Sequence, residues 1–177
     1  MPSRKQKLKF TPFTILIDNR EGLQYSFNGL DPKQRIVLTK YAHLKTGDYS
    51  LLGCESEIML ERKTLQDLFF TLGQERERFE NEFRRMSDAA FAAVIVEASI
   101  EEILNPTACR SDWQSRLHPN SVVGTITSWS LYFPNVHWFL CGNREQAERM
   151  TFDLLRKFWI AKEKQKEVTS FLDAITH

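Results

Sequence analysis

Three acidic residues and one lysine lie next to short apolar runs of the sequence. Asp18 ends the run FTILID, Asp48 opens the run DYSLL, and twelve residues separate Asp48 from the triplet Glu61-Arg62-Lys63. Because alternate side chains of a strand share one face, Glu61 and Lys63 point the same way, whereas Arg62 points the opposite way. If the segments around Asp48 and Glu61 pair as a hairpin, the two carboxylates lie close together. Asp18 can then meet them at the edge of the same sheet.

Carboxylates that converge beside a lysine are typical of a site for a hard divalent cation. Mg²⁺ keeps several waters, which suits one or two carboxylates plus a phosphate oxygen. The bound ion polarises a phosphoryl oxygen and lowers the pKa of a coordinated water, and a neighbouring lysine stabilises the developing charge. Burying adjacent carboxylates without a cation is costly, because like charges repel. The cluster therefore indicates phosphodiester hydrolysis.

Two simpler explanations fit the same residues. An acid after a glycine, as in Gly47-Asp48, is typical of a turn. Glu61 and Lys63 can also form a solvated pair on an exposed sheet face. Spacing alone leaves the metal site and these structural roles open.

The order of these residues resembles a known signature. The segment GDYSLLGCESEIMLERKTLQD is similar to the G-D-x(n)-E-R-K-x(3)-D signature of the XPF-type structure-specific DNA nucleases. The upstream LIDNRE resembles the V-D-x-R-E strand end of that family. A helical segment with basic residues and an apolar strand ending in an acid follow between Leu72 and Glu97, in the family's order. The resemblance spans Phe13 to Phe158, nearly the whole chain.

This resemblance implies a restriction-endonuclease-like α/β fold in a single domain, with a mixed central sheet flanked by helices. It also implies a divalent-metal-dependent endonuclease that cuts branched or flapped DNA near a junction, with Mg²⁺ as cofactor and Mn²⁺ as a substitute. Asp18, Asp48 and Glu61 match the acidic metal-binding positions. Asp48 and Glu61 are also expected to be catalytic, and Lys63 matches the catalytic lysine.

Other letters of the signature are assigned to DNA contact or to structure. Arg62 matches the motif arginine, which acts structurally or on phosphate, and Arg20 is expected to contact DNA. Glu21 and Asp67 match positions that we assign to structure. Thr64 followed three residues later by Asp67 is a capping-box arrangement, which favours a helix start over a metal ligand.

The segment QERERFENEFRR, from Gln74 to Arg85, alternates acids and bases, as a salt-bridged helix surface does. The family places an arginine here that faces the active site, and Arg78 or Arg76 is expected to contact phosphate in that role. Glu97 ends a strand and is expected to cap the next helix rather than to bind metal. Trp113 is expected to pack over the core edge, with stacking on an unpaired base as the alternative.

Apolar and β-branched runs predict six strands, with helices between them. The predicted strands are Phe13–Asp18, Arg35–Thr39, Asp48–Leu52, Glu57–Lys63, Phe91–Glu97 and Val136–Cys141. The predicted helices are Leu65–Met86 with a break near Gly73, one beginning at Pro119, and one from Asn143 to about Glu163. Residues 105–119 are expected to be a loop or a short helix.

Composition bounds the remaining possibilities. With 177 residues, 42% hydrophobic and 27% charged, the chain fits one soluble domain. The sequence has neither an apolar run of membrane-spanning length nor the apolar stretch of a secretory signal, and its three scattered cysteines favour an intracellular location. A net charge of +1 counts mildly against nucleic acid as a partner.

The expected organisation is a basic arm over residues 1–12, a nuclease domain over residues 13–163 and a tail over residues 164–177. Neither a helix-hairpin-helix module nor a phosphate loop for a nucleotide cofactor is expected. We therefore expect DNA to be held by the domain itself, by a homodimer or by a separate DNA-binding partner. Phe152 and Trp159 form a second apolar stripe on the last helix, which is either a partner surface or simply buried.

Two alternative functions stay open at this point. A non-catalytic scaffold that binds DNA or a nuclease partner is expected to lose motif acids, and this sequence keeps them. The sequence does not distinguish a nuclease that acts on RNA from one that acts on DNA, because it has no feature that recognises a 2′-hydroxyl.

Overall fold

A six-stranded mixed sheet forms the centre of the computed structural model, which describes residues 12–30, 37–109 and 113–176. The strands are β1 (Phe13–Asp18), β2 (Val37–Ala42), β3 (Tyr49–Leu51), β4 (Ile58–Lys63), β5 (Phe91–Val96) and β6 (Val136–Leu140), in the spatial order β2-β1-β3-β4-β5-β6. β3 is antiparallel to β1 and to β4, whereas the other pairs are parallel. The predicted mixed sheet and the predicted hairpin are confirmed.

This topology explains why the acidic residues gather at one edge. β3 runs opposite to both of its neighbours, so its beginning lies beside the ends of β1 and β4. The main chain of Asp48 bridges these ends: its carbonyl accepts a hydrogen bond from Asp18 N–H, and its N–H donates to the Leu60 carbonyl, both at 2.8 Å. Residues far apart in the sequence therefore become neighbours.

The helices are α1 (Leu65–Gly73), α2 (Arg76–Met86), α3 (Ile100–Leu104), α4 (Pro106–Cys109), α5 (Pro119–Tyr132) and α6 (Arg144–Thr176). The predicted break near Gly73 is confirmed, because α1 ends there. α3 begins differently from the prediction, which made Glu97 its cap. Ser99 is the N-cap, and it forms a capping box in which Glu102 N–H donates to Ser99 Oγ at 3.2 Å.

Each face of the sheet is covered by its own hydrophobic cluster. Leu60 of β4 belongs to the cluster that includes Leu155 of α6. Met59, its neighbour in sequence, packs instead on the cluster that includes Phe79 of α2. The alternation of β4 thus sends Glu61 and Lys63 towards the side of α1 and α2 and Arg62 towards the side of α6.

The last helix differs from its prediction in length. It continues to Thr176, so residues 164–176 are helix rather than a tail. No glycine or proline follows Gly142, and residues 164–167 are lysine, glutamine, lysine and glutamate, which favour helix. Lys166 and Glu163 also form an ion pair at 2.8 Å on its surface.

The second apolar stripe of α6 packs on this chain's own sheet. Phe152 is 4% exposed, and the ring of Trp159 lies 6.3 Å from that of Phe13. The stripe therefore gives no support to a homodimer, which stays a prediction.

Two sequence predictions fall partly beyond the described ranges. The basic arm over residues 1–12 lies outside them apart from Pro12, and so do the first two residues of the predicted strand Arg35–Thr39, whose described part begins at Val37 and continues to Ala42. Within the described ranges, no helix is both long and apolar enough to cross a membrane.

Gly47 is required where the chain enters the site. Its φ is +77°, and a Cβ placed there would lie 3.1 Å from the Leu60 carbonyl oxygen and 3.3 Å from its nitrogen. Only glycine combines that backbone conformation with so close an approach to a neighbouring strand. Asp48, the next residue, is thereby held against β4.

We expect Gly47→Ala to destabilise the fold more than Gly53→Ala does. Both glycines have similar positive φ values, of +77° and +79°, but a Cβ at Gly53 meets nothing within 4 Å. Gly53→Ala should cost about 1–2 kcal/mol for the left-handed backbone. Gly47→Ala should cost about 1–3 kcal/mol more, because its Cβ also strains the contact with β4. Urea unfolding measures both, and equal losses would contradict this account of Gly47.

Candidate active site

The end of β4 presents one acid–lysine pair to the α1–α2 side of the sheet. Lys63 donates a hydrogen bond from Nζ to Glu61 Oε1, and both residues are buried, with exposures of 8% and 6%. The ammonium group also lies 4.9 Å from the centre of the Phe79 ring. This geometry rules out the solvated pair that the sequence left open.

Asp48 lies beside this pair and is half-buried. Its Oδ2 accepts a hydrogen bond from Arg62 N–H at 2.7 Å. Burial and then the charge of Glu61 raise the pKa of Asp48 well above its ordinary value, although the Arg62 N–H and Lys63 oppose the rise. Burial likewise raises the pKa of Glu61, against the lowering effect of Lys63. The two carboxylates therefore resist being ionised together.

Lys63 keeps its proton at neutral pH. Burial lowers the pKa of Lys63, but the charge of Glu61, the hydrogen bond to it and the charge of Asp48 raise it, and the pKa lies above its ordinary value. Lys63 therefore acts as a fixed positive charge rather than as a base.

Asp18 reaches the same sheet edge but is fully engaged with nitrogen donors. Its Oδ1 accepts from Arg20 N–H and Nε, both at 2.8 Å, and its Oδ2 accepts from Arg20 Nη2 at 2.9 Å and from Leu44 N–H at 2.8 Å. Burial raises the pKa of Asp18, but these hydrogen bonds lower it below its ordinary value. The role of Asp18 as a metal ligand stays a prediction. To bind the ion, the carboxylate would have to give up some of these hydrogen bonds.

Helix α2 forms the outer wall of the site. Arg85 donates from Nε to Thr46 Oγ1 at 3.2 Å, which ties the helix to the segment before Asp48. Glu82 lies one helical turn before Arg85, and its charge contributes to raising the pKa values of Glu61 and Lys63. The sequence analysis missed Glu82. Its position four residues after Arg78, on the same helical face, is the signal that pointed to it.

Of the two arginines considered on α2, Arg78 is the one close to the acid–lysine pair. Its side chain is 64% exposed and pairs with Glu75. The hydrogen bond to Glu75, and then the charges of Glu75, Glu82 and Glu61, raise the pKa of Arg78, although burial opposes the rise. Arg76 turns the other way: its Nη1 donates to Thr125 Oγ1 at 2.8 Å, and its guanidinium lies over the Trp129 ring.

Arg62 lies on the opposite face of the sheet, as the alternation of β4 predicts. Its side chain is 4% exposed and pairs with Glu97 at 2.6 Å and with Glu21 at 3.2 Å. This burial favours the structural role of Arg62 over a phosphate contact, and the pairing agrees with the structural role assigned to Glu21. Glu97 was missed as a partner, because only the sheet register brings it to Arg62.

The final aspartate of the signature lies in the first turn of α1, where it pairs with the N-cap residue Thr64. Asp67 N–H donates to Thr64 Oγ1 at 3.1 Å, and Thr64 Oγ1 donates to Asp67 Oδ2 at 2.6 Å. Trp113 packs edge-to-face on the buried ring of Phe69, with centres 4.7 Å apart, in agreement with the expected packing over the core edge.

Asp48 and Glu61 are a donor set that fits Mg²⁺, and Asp18 as a third ligand stays a prediction. In the part of the chain that the structure describes, no group of three or more His, Cys, Asp or Glu side chains is arranged to hold a metal ion. Asp48 and Glu61 nevertheless repel each other in a site with little water, and a cation would relieve that repulsion. Mg²⁺ is commonly held by one or two carboxylates, with waters and phosphate oxygens as its other ligands.

We expect Asp48→Asn to raise the thermal stability of the metal-free protein at pH 7. The pKa of Asp48 is higher in the folded state than in the unfolded chain, so stability falls as the pH rises from the unfolded value to the folded one. Removing the charge removes that loss, and asparagine still accepts from Arg62 N–H. Scanning fluorimetry in a chelator should show a rise of about 2–4 °C, equivalent to roughly 1 kcal/mol.

Asp18→Asn is the matched control, and its melting temperature should change in the opposite direction. The pKa of Asp18 is lowered by folding, so its charge stabilises the fold above the unfolded value near 3.8, and this stabilisation is lost as the pH falls through the folded value. Its melting temperature at pH 7 should therefore drop. A drop in both variants would show that the repulsion around Asp48 is already relieved without metal.

Comparisons with known proteins concern the family and the fold of this chain. The chain matches the model of the ERCC4 domain over residues 17–154, whereas a comparison with curated protein sequences gives no match. XPF from Aeropyrum pernix is 18% identical, with a TM-score of 0.60 over 81% of this chain and 60% of that one. XPF from Aeropyrum pernix in complex with DNA is 16% identical, with a TM-score of 0.55 over 85% of this chain and 66% of that one.

The chain thus spans about 60% of the length of the first of these structures, and at such identities the likeness concerns the fold. The family match itself covers both the upstream and the central parts of the signature, from Ile17 through Asp18, Asp48, Glu61 and Lys63. The chain belongs to the ERCC4 domain family.

Proposed function

We propose that this protein is a divalent-metal-dependent endonuclease that hydrolyses phosphodiester bonds in DNA. The observation that carries the proposal is the buried pair of Glu61 and Lys63 with the half-buried Asp48 beside it, in a chain whose family match contains all three. One solved structure with the same fold is an XPF protein in complex with DNA. That likeness supports DNA as the substrate, whereas the branched or flapped form rests on the resemblance of the signature alone.

Asp48 and Glu61 would hold Mg²⁺, and Mn²⁺ would substitute for it. When bound, such an ion polarises the phosphoryl oxygen and lowers the pKa of a coordinated water. Asp18 is a third candidate ligand at the same edge, although the structure engages it with Arg20 and Leu44.

Lys63 supplies a permanent positive charge next to the reacting phosphate. Its hydrogen bond to Glu61 fixes the ammonium group, and its burial keeps competing water away. A preorganised charge in such a site stabilises negative charge as it develops on the phosphate oxygens, and it needs little reorganisation during the reaction.

Arg78 and Arg20 are proposed to bind the DNA backbone on either side of the cluster. Their side chains are 64% and 60% exposed, so phosphate oxygens can reach them. Arginine forms paired hydrogen bonds with phosphate, and such contacts fix the register of the DNA rather than its sequence. They also provide local positive charge in a chain whose net charge is only +1.

We expect Mg²⁺-dependent cleavage of flap or splayed-arm DNA, with less cleavage of linear duplex. Glu61→Gln and Lys63→Ala should each lower the cleavage rate at least about 100-fold, since each removes a charged group from the reacting centre. Denaturing gel electrophoresis of end-labelled DNA, with and without Mg²⁺ or Mn²⁺, measures the rates.

Lys166→Ala serves as the control, because this lysine lies on the surface of α6, behind the sheet, and should leave the rate unchanged. Cleavage that survives both site substitutions would refute the assignment of Glu61 and Lys63. Binding of flap DNA with no cleavage in either metal would point instead to a non-catalytic scaffold of the same fold.

A further inference from the structure

Glu97 is the centre of a buried hydrogen-bond network on the face of the sheet opposite the candidate site. Its Oε1 accepts from Arg62 Nε at 2.6 Å, from Tyr25 OH at 2.9 Å and from Arg144 Nη1 at 3.1 Å. Its Oε2 accepts from Arg62 Nη2 at 3.0 Å. The side chain is only 9% exposed, so these four donors satisfy a carboxylate that water hardly reaches.

This network is connected to the candidate site through the main chain of β4. Arg62, which grips Glu97 with its side chain, donates its backbone N–H to Asp48 Oδ2 at 2.7 Å. Glu97 also donates its own N–H to the Lys63 carbonyl at 2.8 Å. Glu97 thus holds the last two residues of β4: its side chain binds Arg62, and its main chain binds Lys63.

The charges make this attachment strong. The guanidinium of Arg62 is buried, with Glu97 and Glu21 as its carboxylate partners, and a buried charge that loses a partner is strongly destabilised. If Glu97 no longer paired with it, Arg62 would turn towards water. Because β4 alternates between faces, rotation at Arg62 also displaces Glu61 and Lys63 and moves the N–H that holds Asp48.

We propose that Glu97 is a positioning residue for the cation-binding carboxylates and acts on them through Arg62. Its effect on metal binding rests on the proposed function, whereas its effect on the hydrogen bond between Arg62 and Asp48 does not. Outer partners that orient metal ligands typically change metal affinity 10- to 100-fold when they are altered.

The test is the variant Glu97→Gln. The first measurement is the chemical shift of the Arg62 backbone amide in a proton–nitrogen NMR spectrum. An amide hydrogen-bonded to a carboxylate is shifted downfield, so this signal should move upfield when Glu97 no longer fixes Arg62. Calorimetric titration with Mg²⁺ is the second reading, and the dissociation constant should rise about 10-fold. Both readings are independent of cleavage activity.

Two controls separate positioning from a general loss of stability. Arg144→Gln removes a donor to the same oxygen of Glu97 but does not touch β4, so the Arg62 amide should stay in place. Leu155→Ala opens a cavity in the cluster on the same face of the sheet and should lower the melting temperature without moving that amide.

An unchanged Arg62 amide in Glu97→Gln would overturn the proposal, and so would an equal shift in Leu155→Ala. If Glu97→Gln does not fold, Glu97→Asp gives the same comparison, because it keeps the charge but is too short to grip Arg62 with both oxygens. If the wild-type protein binds no Mg²⁺, the proposed function fails, and the amide comparison still decides the role of Glu97.

Discussion

The burial of two neighbouring carboxylates governs the end of β4. Burial, and then the charge of Glu61, raise the pKa of Asp48, because the carboxylate loses hydration and has a like-charged neighbour. Lys63 opposes this rise with its charge and the Arg62 N–H opposes it with a hydrogen bond, but the pKa of Asp48 still lies well above its ordinary value. The cation of the proposed function would relieve this remaining cost.

The triplet Glu61-Arg62-Lys63 shows how a strand keeps two kinds of chemistry apart. The outer two side chains face α1 and α2, and the middle one meets Glu97 and Glu21 behind the sheet. If Arg62 lay beside Asp48, its guanidinium would neutralise the carboxylates and compete with a metal ion. On the opposite face, the same positive charge anchors the strand instead. Period-two alternation therefore allows a buried arginine and the proposed cation site to share three consecutive residues.

Much of this arrangement could be predicted from the sequence, because it depends on local order. The alternation of β4, the cap at Thr64 and the break near Gly73 follow from neighbouring residues. The role of Glu97 could not be predicted, because it depends on how separate elements pack. Glu97 meets Arg62 only through the parallel register of β4 and β5, in which Arg62 lies opposite Ile95.

The full length of α6 could have been predicted from the sequence. The prediction ended this helix at about Glu163, but Val168, Phe171, Leu172 and Ile175 continue an apolar i, i+3, i+4, i+7 pattern along the sequence. The helix runs to Thr176 through this pattern, and neither glycine nor proline interrupts it.

The three acids at the sheet edge have opposite effects on the fold, although the topology brings them to adjacent positions. Asp18 is saturated with N–H donors and stabilises the folded chain, whereas Asp48 and Glu61 share fewer donors and oppose folding. This division is physically useful. A carboxylate whose hydrogen bonds are already satisfied gains little from a cation, whereas two that are incompletely satisfied gain much. Under the proposed function, the distribution of N–H donors, rather than the positions of the acids alone, therefore selects which carboxylates would hold the metal ion.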